Sequence, residues 1–150
     1  MLTKDPMTRQ NLRDVFAIDH FKDFVAENSL LNGIYVVNTE ESYKSGSHWL
    51  LVYVTDDKVV FVDTFSRSPD YFNLSKELFS SKKPVKTLKK QIQSFTSDIC
   101  GGYVVYFSVR FCRGDNLDKI VKDFCANDLS KNDFLIANFI YNYFPGHYKF

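Results

Sequence analysis

A histidine and an aspartate stand at the open end of a predicted β-hairpin, where an imidazole and a carboxylate could meet. The stretch GSHWLLVYVTDDKVVFVDTFS, residues 46–66, holds two apolar runs separated by a turn-forming cluster. A two-residue turn pairs Thr55 with Lys58, and this register makes His48 and Asp63 diagonal neighbours on one face. Diagonal pairs lie about 7–8 Å apart at the backbone, so the two side chains are within reach of each other.

Such a pair has a chemical use. A carboxylate that accepts a hydrogen bond from one ring nitrogen fixes the tautomer of the histidine and leaves the other nitrogen free to act as a base. The structural alternative is a capped strand end followed by a surface turn. Hairpin geometry alone does not separate a catalytic His48–Asp63 pair from that alternative.

The segment QSFTSDICGG, residues 93–102, offers a nucleophile. Cys100 follows two candidate N-cap residues, Ser97 and Asp98, and precedes two glycines. A thiol in the first turn of a helix lies near the positive end of the helix dipole, which favours the thiolate. Gly101 and Gly102 would leave room for a substrate backbone. The alternative is that Cys100 is a small buried apolar residue.

A glutamine seven residues before the cysteine could stabilise negative charge. The side-chain amide of Gln93 could donate to an oxyanion together with the backbone N–H of Cys100. Gln91 is a rival on the same strand face. The alternative for both is a solvated surface side chain.

A basic stripe lies between these features. The segment KKPVKTLKK, residues 82–90, contains five lysines and no acid. Such a stripe can contact nucleic-acid phosphates in a salt-sensitive way, or it can be a solvated edge strand whose lysines prevent aggregation. The lysines are Lys82, Lys83, Lys86, Lys89 and Lys90.

Length and composition restrict the number of domains and the classes of partner that the protein can have. The 150 residues predict one domain, 1–150, and the formal net charge of +1 predicts no general attraction to nucleic acid or membrane. No apolar run reaches the length of a membrane helix, and the first ten residues lack a signal-peptide core. We therefore expect a protein that is not secreted, with its three cysteines reduced and no metal site.

The elements that must position these residues follow from periodicity. Residues 8–27 have loosely helical spacing, 33–39 predict a strand, and 74–80 predict a short helix. Residues 85–92 are typical of an edge strand. Asp115 and Ser130 are candidate caps of two C-terminal helices, the second ending at Pro145-Gly146.

The run GGYVVYFSVRF, residues 101–111, is ambiguous. Its β-branched and aromatic residues favour a strand, whereas a helix apolar on nearly every side would be buried in the core. Strands in the middle of the chain and helices at its ends indicate an α+β domain.

In the order His, Asp, Gln, Cys, the sequence resembles the adenovirus endopeptidase (adenain) family, within the group that includes the SUMO-specific cysteine proteases. VNTEESYKSGSHWL at 37–50 is similar to that family's Val-Asn-Thr strand, glycine-containing loop and His-Trp pair. VFVDTFS is similar to its acid-containing strand end, with an aromatic, Phe65, two residues after the acid. QSFTSDICG keeps its Gln, six residues, Cys-Gly spacing, and the tail 129–144 resembles its final helix.

The resemblance implies a role for each matched residue. Cys100 would be the nucleophile, His48 the general base, Asp63 the group that orients it, and Gln93 the oxyanion donor. Trp49 and Gly101 would contact the substrate. The implied fold is papain-like, a central mixed sheet with 101–111 as a buried helix that carries the nucleophile and further helices at its sides.

The chain departs from that family in ways that concern its activators. Adenovirus enzymes are activated by a disulfide-tethered viral peptide and by DNA. No cysteine occurs between residues 1 and 99, and Lys82 occupies the place of the tethering cysteine. The resemblance therefore leaves a non-covalent peptide and DNA as activators, the latter through the basic stripe, and no cofactor for the chemistry.

The function implied is a monomeric cysteine endopeptidase of a DNA virus or virus-like element. It would cleave virion precursor proteins at glycine-containing sites and act inside the host nucleus and the virion. Two alternatives stay open: an isopeptidase for ubiquitin-like proteins, and an inactive nucleic-acid-binding or scaffold protein.

Overall fold

A computed structural model describes residues 1–44 and 48–146. The glycine-containing loop of the resemblance, at 45–47, lies outside the described residues. The described elements, in chain order, are α1 (Pro6–Asn11), β1 (Leu12–Ala17), α2 (Ile18–Glu27), β2 (Gly33–Asn38), β3 (Trp49–Val54), β4 (Val59–Val62), α3 (Ser75–Phe79), β5 (Val85–Thr87), α4 (Cys100–Cys112), α5 (Leu117–Val121) and α6 (Leu129–Tyr143), with short 3-10 helices at Leu2–Lys4 and Pro69–Phe72.

The five strands form one mixed sheet in the order β1-β2-β3-β4-β5. The pairs β1–β2 and β4–β5 are parallel, and the pairs β2–β3 and β3–β4 are antiparallel. The predicted hairpin and its register are confirmed, because Leu51 pairs with Val62 and the Thr55 N–H donates to the Lys58 carbonyl at 2.9 Å. The predicted α+β fold class is also confirmed.

Helices cover both faces of the sheet. On one face α4, α5 and α6 pack on the side chains of Ile34, Val36 and Leu51. On the other face α2 and α3 pack on the alternate residues of the same strands, with Phe21 and Leu78 in that core. Strands β2, β3 and β4 are therefore almost wholly buried, as their continuous apolar sequences predict.

The ambiguous run at 101–111 is helical, and the expectation from strand propensity is wrong there. Ten of the thirteen residues of α4 are buried. A helix that is apolar on nearly every side lowers its free energy by burial in a core, and that burial outweighs the weak β preference of its valines and tyrosines. The buried helix implied by the resemblance is the correct alternative.

Other sequence expectations need correction. The segment 12–17, expected to be helical, is strand β1, because it pairs in parallel with β2. Strand β5 is shorter than the expected 85–92 and ends at Thr87, whereas the helix expected at 74–80 is present as α3. No described helix is long and apolar enough to span a bilayer.

The predicted helix caps are one to two residues out of place. Asn116 rather than Asp115 caps α5, with its side chain accepting from the Lys119 N–H at 2.8 Å. Ser130 lies inside the first turn of α6, where its hydroxyl donates to the Asp128 carboxylate at 2.5 Å. Several polar residues lie near each helix start, and tertiary packing selects which one takes the cap position.

Candidate active site

His48 lies just before β3 and is held by its backbone and its ring. Its carbonyl accepts a hydrogen bond from the Thr39 N–H at 2.9 Å, which continues the β2–β3 ladder by one residue. The ring is buried, and its Nε2 lies 2.7 Å from Oδ1 of Asp63. The structure thus brings together the two polar residues that the hairpin register makes diagonal neighbours.

Asp63 follows β4 directly, and its carboxylate is fully buried. Besides His48, Oδ1 accepts from the Phe65 N–H at 3.2 Å, and Oδ2 accepts from the N–H and the Nε–H of Arg67 at 3.1 and 2.7 Å. Burial by itself would raise the pKa of Asp63, but the hydrogen bonds from His48 and Arg67 outweigh it and lower that pKa. The carboxylate is therefore charged in the folded protein at neutral pH.

Arg67 is a site residue that the sequence analysis missed. Its guanidinium forms an ion pair with Asp63 and packs on the rings of Phe65, Tyr71 and Phe72, at 5.0, 4.9 and 4.9 Å from their centroids. The available signal was its position four residues after Asp63. That signal was easy to overlook, because the segment 66–75 looks like an ordinary surface loop.

Cys100 is the first residue of α4 and is buried beside His48. Burial would raise the pKa of the Cys100 thiol, but hydrogen bonds from His48 and from the backbone N–H groups of Trp49 and Gly101 lower it below its usual value. For His48, burial would lower the pKa, and its contacts with Asp63 and Cys100 raise it instead. These opposite shifts favour a thiolate–imidazolium pair.

The N-terminus of α4 differs in detail from the sequence expectation. The residue at the N-cap position is Ile99, without a side-chain cap bond, and neither Ser97 nor Asp98 takes that place. The Ser97 hydroxyl instead accepts from the Ile99 N–H at 3.3 Å, one step before the helix. Because Cys100 is the first helical residue, its own N–H has no acceptor within the helix.

Gln93 is buried and fixed at both ends of its amide. Its Oε1 accepts from the Thr64 hydroxyl at 2.5 Å, and its Nε2 donates to the Ser97 carbonyl at 3.1 Å. The Ile92 and Gln93 N–H groups also donate to the Thr64 carbonyl, at 2.9 and 3.3 Å. Since an amide nitrogen carries two hydrogens, one N–H of Gln93 is left for another acceptor.

Gln91, the rival, has a different role. Its Nε2 donates to the backbone carbonyl of Gln93 at 2.8 Å, and its side chain is only half-buried. Gln91 therefore supports the segment that carries Gln93.

Aromatic rings continue the site outward from the histidine. The ring of Phe65 stacks on His48 with centroids 5.0 Å apart, and Phe95 stacks on Phe65 at 5.2 Å. Phe95 is 77% exposed, so this stack reaches the surface. An aromatic face beside an imidazolium also stabilises its positive charge.

Trp49 and Gly101, the expected substrate contacts, lie side by side at the nucleophile. A Cβ atom at Gly101 would lie 3.7 Å from Cδ1 of Trp49, an ordinary van der Waals distance. The gap between Gly101 and the indole is therefore just wide enough for one methyl group in van der Waals contact.

The lysines of the basic stripe differ in their exposure and in their contacts. Lys82, Lys86 and Lys89 are exposed, Lys86 within edge strand β5, and Lys90 is half-buried. Lys83 donates to the Thr55 carbonyl at 2.7 Å and so fixes the hairpin turn. The edge-strand interpretation therefore accounts for Lys83 and Lys86.

Metal-ligating residues do not cluster in the part of the chain that the structure describes. All three cysteines are free. Cys112, at the other end of α4, lies about 18 Å from Cys100 along the helix axis.

Comparisons with known proteins give only distant similarities. No protein-family model matches the sequence, and no curated protein matches it. The chain is similar to the crystal structure of the ASFV pS273R protease, with 17% identity over 69% of this chain and 43% of that one, at a TM-score of 0.42. It is also similar to AvrA delL154 with IP6 and CoA, with 19% identity over 84% of this chain and 53% of that one, at a TM-score of 0.45.

The chain spans about half the length of these two structures. Neither is an adenovirus endopeptidase, so membership of that family stays a prediction. We infer function from the geometry of the site itself.

We expect Cys100 to react with iodoacetamide at a lower pH than Cys112. The His48 contact lowers the pKa of Cys100, whereas burial raises the pKa of Cys112. Site-resolved alkylation between pH 5 and 9, mapped by mass spectrometry, measures both thiols in one sample. His48→Ala should slow labelling of Cys100 at pH 6 by about tenfold or more. Equal rates at Cys100 and Cys112 would contradict the ion pair.

We expect Arg67→Gln to shift the acid limb of the Cys100 alkylation profile, the pH range in which the rate begins to rise, to higher pH. Arg67 lowers the pKa of Asp63, so without it the carboxyl group takes up a proton at a higher pH, and the imidazolium then loses its partner. Arg67→Lys keeps the charge but loses the paired contacts of Nε with Oδ2 at 2.7 Å and of Nη2 with Oδ1 at 3.4 Å, so its acid limb should lie between those of the wild type and Arg67→Gln. An unchanged limb in Arg67→Gln would show that Arg67 only supports the loop.

Proposed function

We propose that this protein is a cysteine peptidase of the adenovirus-endopeptidase type, which hydrolyses peptide bonds through a covalent acyl-enzyme. The observation that carries the proposal is the 2.7 Å contact between His48 Nε2 and the buried Asp63 carboxylate, together with Cys100 at the first position of the buried helix α4, where His48 lowers the pKa of its thiol. The helix start at Cys100 and the opposite pKa shifts of thiol and imidazole both favour the charged form of the nucleophile.

The reaction follows from these positions. The Cys100 thiolate attacks the carbonyl carbon of the scissile bond, and protonated His48 gives its proton to the leaving amine as the C–N bond breaks. His48 then takes a proton from a water molecule, whose oxygen attacks the thioester. The C–S bond breaks, the acid product leaves, and the thiolate is restored. Asp63 keeps the ring oriented and stabilises its charge throughout.

Gln93 and the Cys100 N–H support the oxyanion assignment. The tetrahedral intermediates place negative charge on the former carbonyl oxygen, and donors that are fixed beforehand stabilise it most. The Gln93 amide is held by Thr64 and Ser97, so it loses little freedom when it donates.

The finer parts of the proposal concern substrate and setting. A narrow site between Trp49 and Gly101 would admit a residue without a side chain, so we propose cleavage next to glycine in virion precursor proteins. A non-covalent peptide and DNA are proposed as activators, with DNA contacting the exposed lysines of the basic stripe. The host nucleus and the virion would be the sites of action.

The experiment that tests the function is peptide turnover. Glycine-containing fluorogenic peptides should be cleaved by the wild-type protein, with and without added DNA, and not by Cys100→Ala. A ubiquitin-like conjugate in the same assay separates an isopeptidase from an endopeptidase. DNA binding by both proteins without turnover by either would contradict the proposal and favour the scaffold alternative.

We expect Gln93→Ala to lower kcat by about 10²–10³, the usual loss when one oxyanion donor is removed. Gln91→Ala is the matched control, because it removes a nearby amide that contacts only the Gln93 carbonyl among the described residues. The alkylation profile of Cys100 should stay normal in both variants. Equal kcat values for Gln93→Ala and the wild type would remove Gln93 from the oxyanion site.

A further inference from the structure

A small pocket lies beside Trp49, on the side of β3 away from Asp63. Its volume is about 240 Å³, less than the roughly 300–1,000 Å³ of pockets that enclose a whole small molecule. We call it the Asn38 pocket. Its lining includes Val15, Phe16, Ala17, Asn38, Glu41 and Trp49.

Strand register fixes the place of this pocket. Ala17 pairs with Asn38, and Asn38 pairs with Trp49, so the three residues form one row across β1, β2 and β3. Residues opposite each other on neighbouring strands share a face, and this row lies on the face covered by α4, since Val36 and Leu51 pack there. The row forms part of the pocket lining at the end of the sheet where α4 begins.

Trp49 joins the pocket to the nucleophile. Its backbone N–H is close enough to the Cys100 thiol to lower the pKa of that thiol, and its Cδ1 would lie 3.7 Å from a Cβ atom at Gly101. Along the sheet the order is therefore Asp63 after β4, then His48 and Trp49, then Asn38, then Ala17. A peptide bound across this end of the sheet with its scissile bond at Cys100 would pass over Asn38 on one side.

Asn38 carries an unused hydrogen-bond donor. The side chain is 5% exposed, and its Oδ1 accepts from the Glu40 N–H at 2.9 Å. Its Nδ2 is buried and has no hydrogen-bond partner among residues 1–44 and 48–146. Because nearly all buried polar groups in native proteins are paired, this N–H group points to an acceptor supplied from outside the chain.

The surroundings restrict what that acceptor is. Glu40 and Glu41 both line the pocket, and Lys44, which also lines it, forms an ion pair with Glu40. Two carboxylates against one ammonium disfavour an anionic acceptor. A neutral carbonyl fits the donor and the charge, and the apolar part of the lining fits a neighbouring side chain.

We propose that the Asn38 pocket is a substrate subsite, in which the amide of Asn38 turns toward the pocket on binding and its Nδ2–H donates to a main-chain carbonyl of the bound polypeptide. The proposal rests on the proposed function, since it places a peptide at Cys100. Asn38 would bind the substrate a few residues from the scissile bond and would act on neither the thiol nor the imidazole.

Peptidyl chloromethyl ketones of increasing length test this subsite, since they alkylate the thiolate with loss of chloride and need no turnover. In the wild type, one added residue should raise the rate constant at Cys100 by about three- to tenfold, the size expected for one net hydrogen bond. Asn38→Asp keeps the acceptor for the Glu40 N–H but lacks the donor, and it should abolish that single increment. Iodoacetamide, which is too small to reach the pocket, should react with Cys100 at an unchanged rate.

Two further variants make the result decisive. Asn38→Leu lacks both the donor and the added charge of Asn38→Asp, and it should lose the same increment. Asn28→Asp makes the same chemical change at an exposed amide that bonds only to Phe24 among the described residues, and it should keep the increment. Asn38 variants that retain the full length dependence, or a wild type that shows none, would overturn the subsite. A failure of the proposed function looks different, because iodoacetamide would then show no preference for Cys100.

Discussion

The buried carboxylate of Asp63 is the constraint on which the site depends. A charge removed from water is costly unless it is paired and hydrogen-bonded, and here it accepts from His48, from the Arg67 guanidinium and from two backbone N–H groups. Those bonds close the turn after β4, orient the imidazole and draw an arginine into the site. The charge on Asp63 also raises the pKa of His48 and so stabilises the imidazolium.

The other site residues are positioned by one end of the sheet. Asn38 at the end of β2, His48 just before β3 and Asp63 just after β4 lie at the same end of the sheet. The N-terminus of α4 brings Cys100 to this end as well. Thr64, the residue after Asp63, holds the Gln93 segment through its carbonyl and its hydroxyl. Residues far apart in sequence are thus fixed relative to one strand end, which is the precision that the proposed covalent catalysis would require.

The parts that were predictable from sequence have a local physical cause. The hairpin register follows from a short turn between two apolar runs, and a one-residue slip would expose a buried face. The helical expectation for 12–17 is wrong because the strand character of this segment comes from pairing with β2, a contact that no local pattern records. Local sequence also fails to predict residues 101–111, because burial on nearly all sides, and not intrinsic propensity, makes them a helix.

The sequence by itself determined the chemical groups, their order and the hairpin that can join His48 to Asp63, because turn length and side-chain alternation act over a few residues. Only the tertiary structure decided that Arg67 shares the carboxylate and that Gln93 rather than Gln91 is buried with its amide fixed. It also decided that the Asn38 donor beside Trp49 has no partner in the described part of the chain. Each of these depends on which distant groups are buried together, and burial is settled by the packing of the whole sheet and its helices.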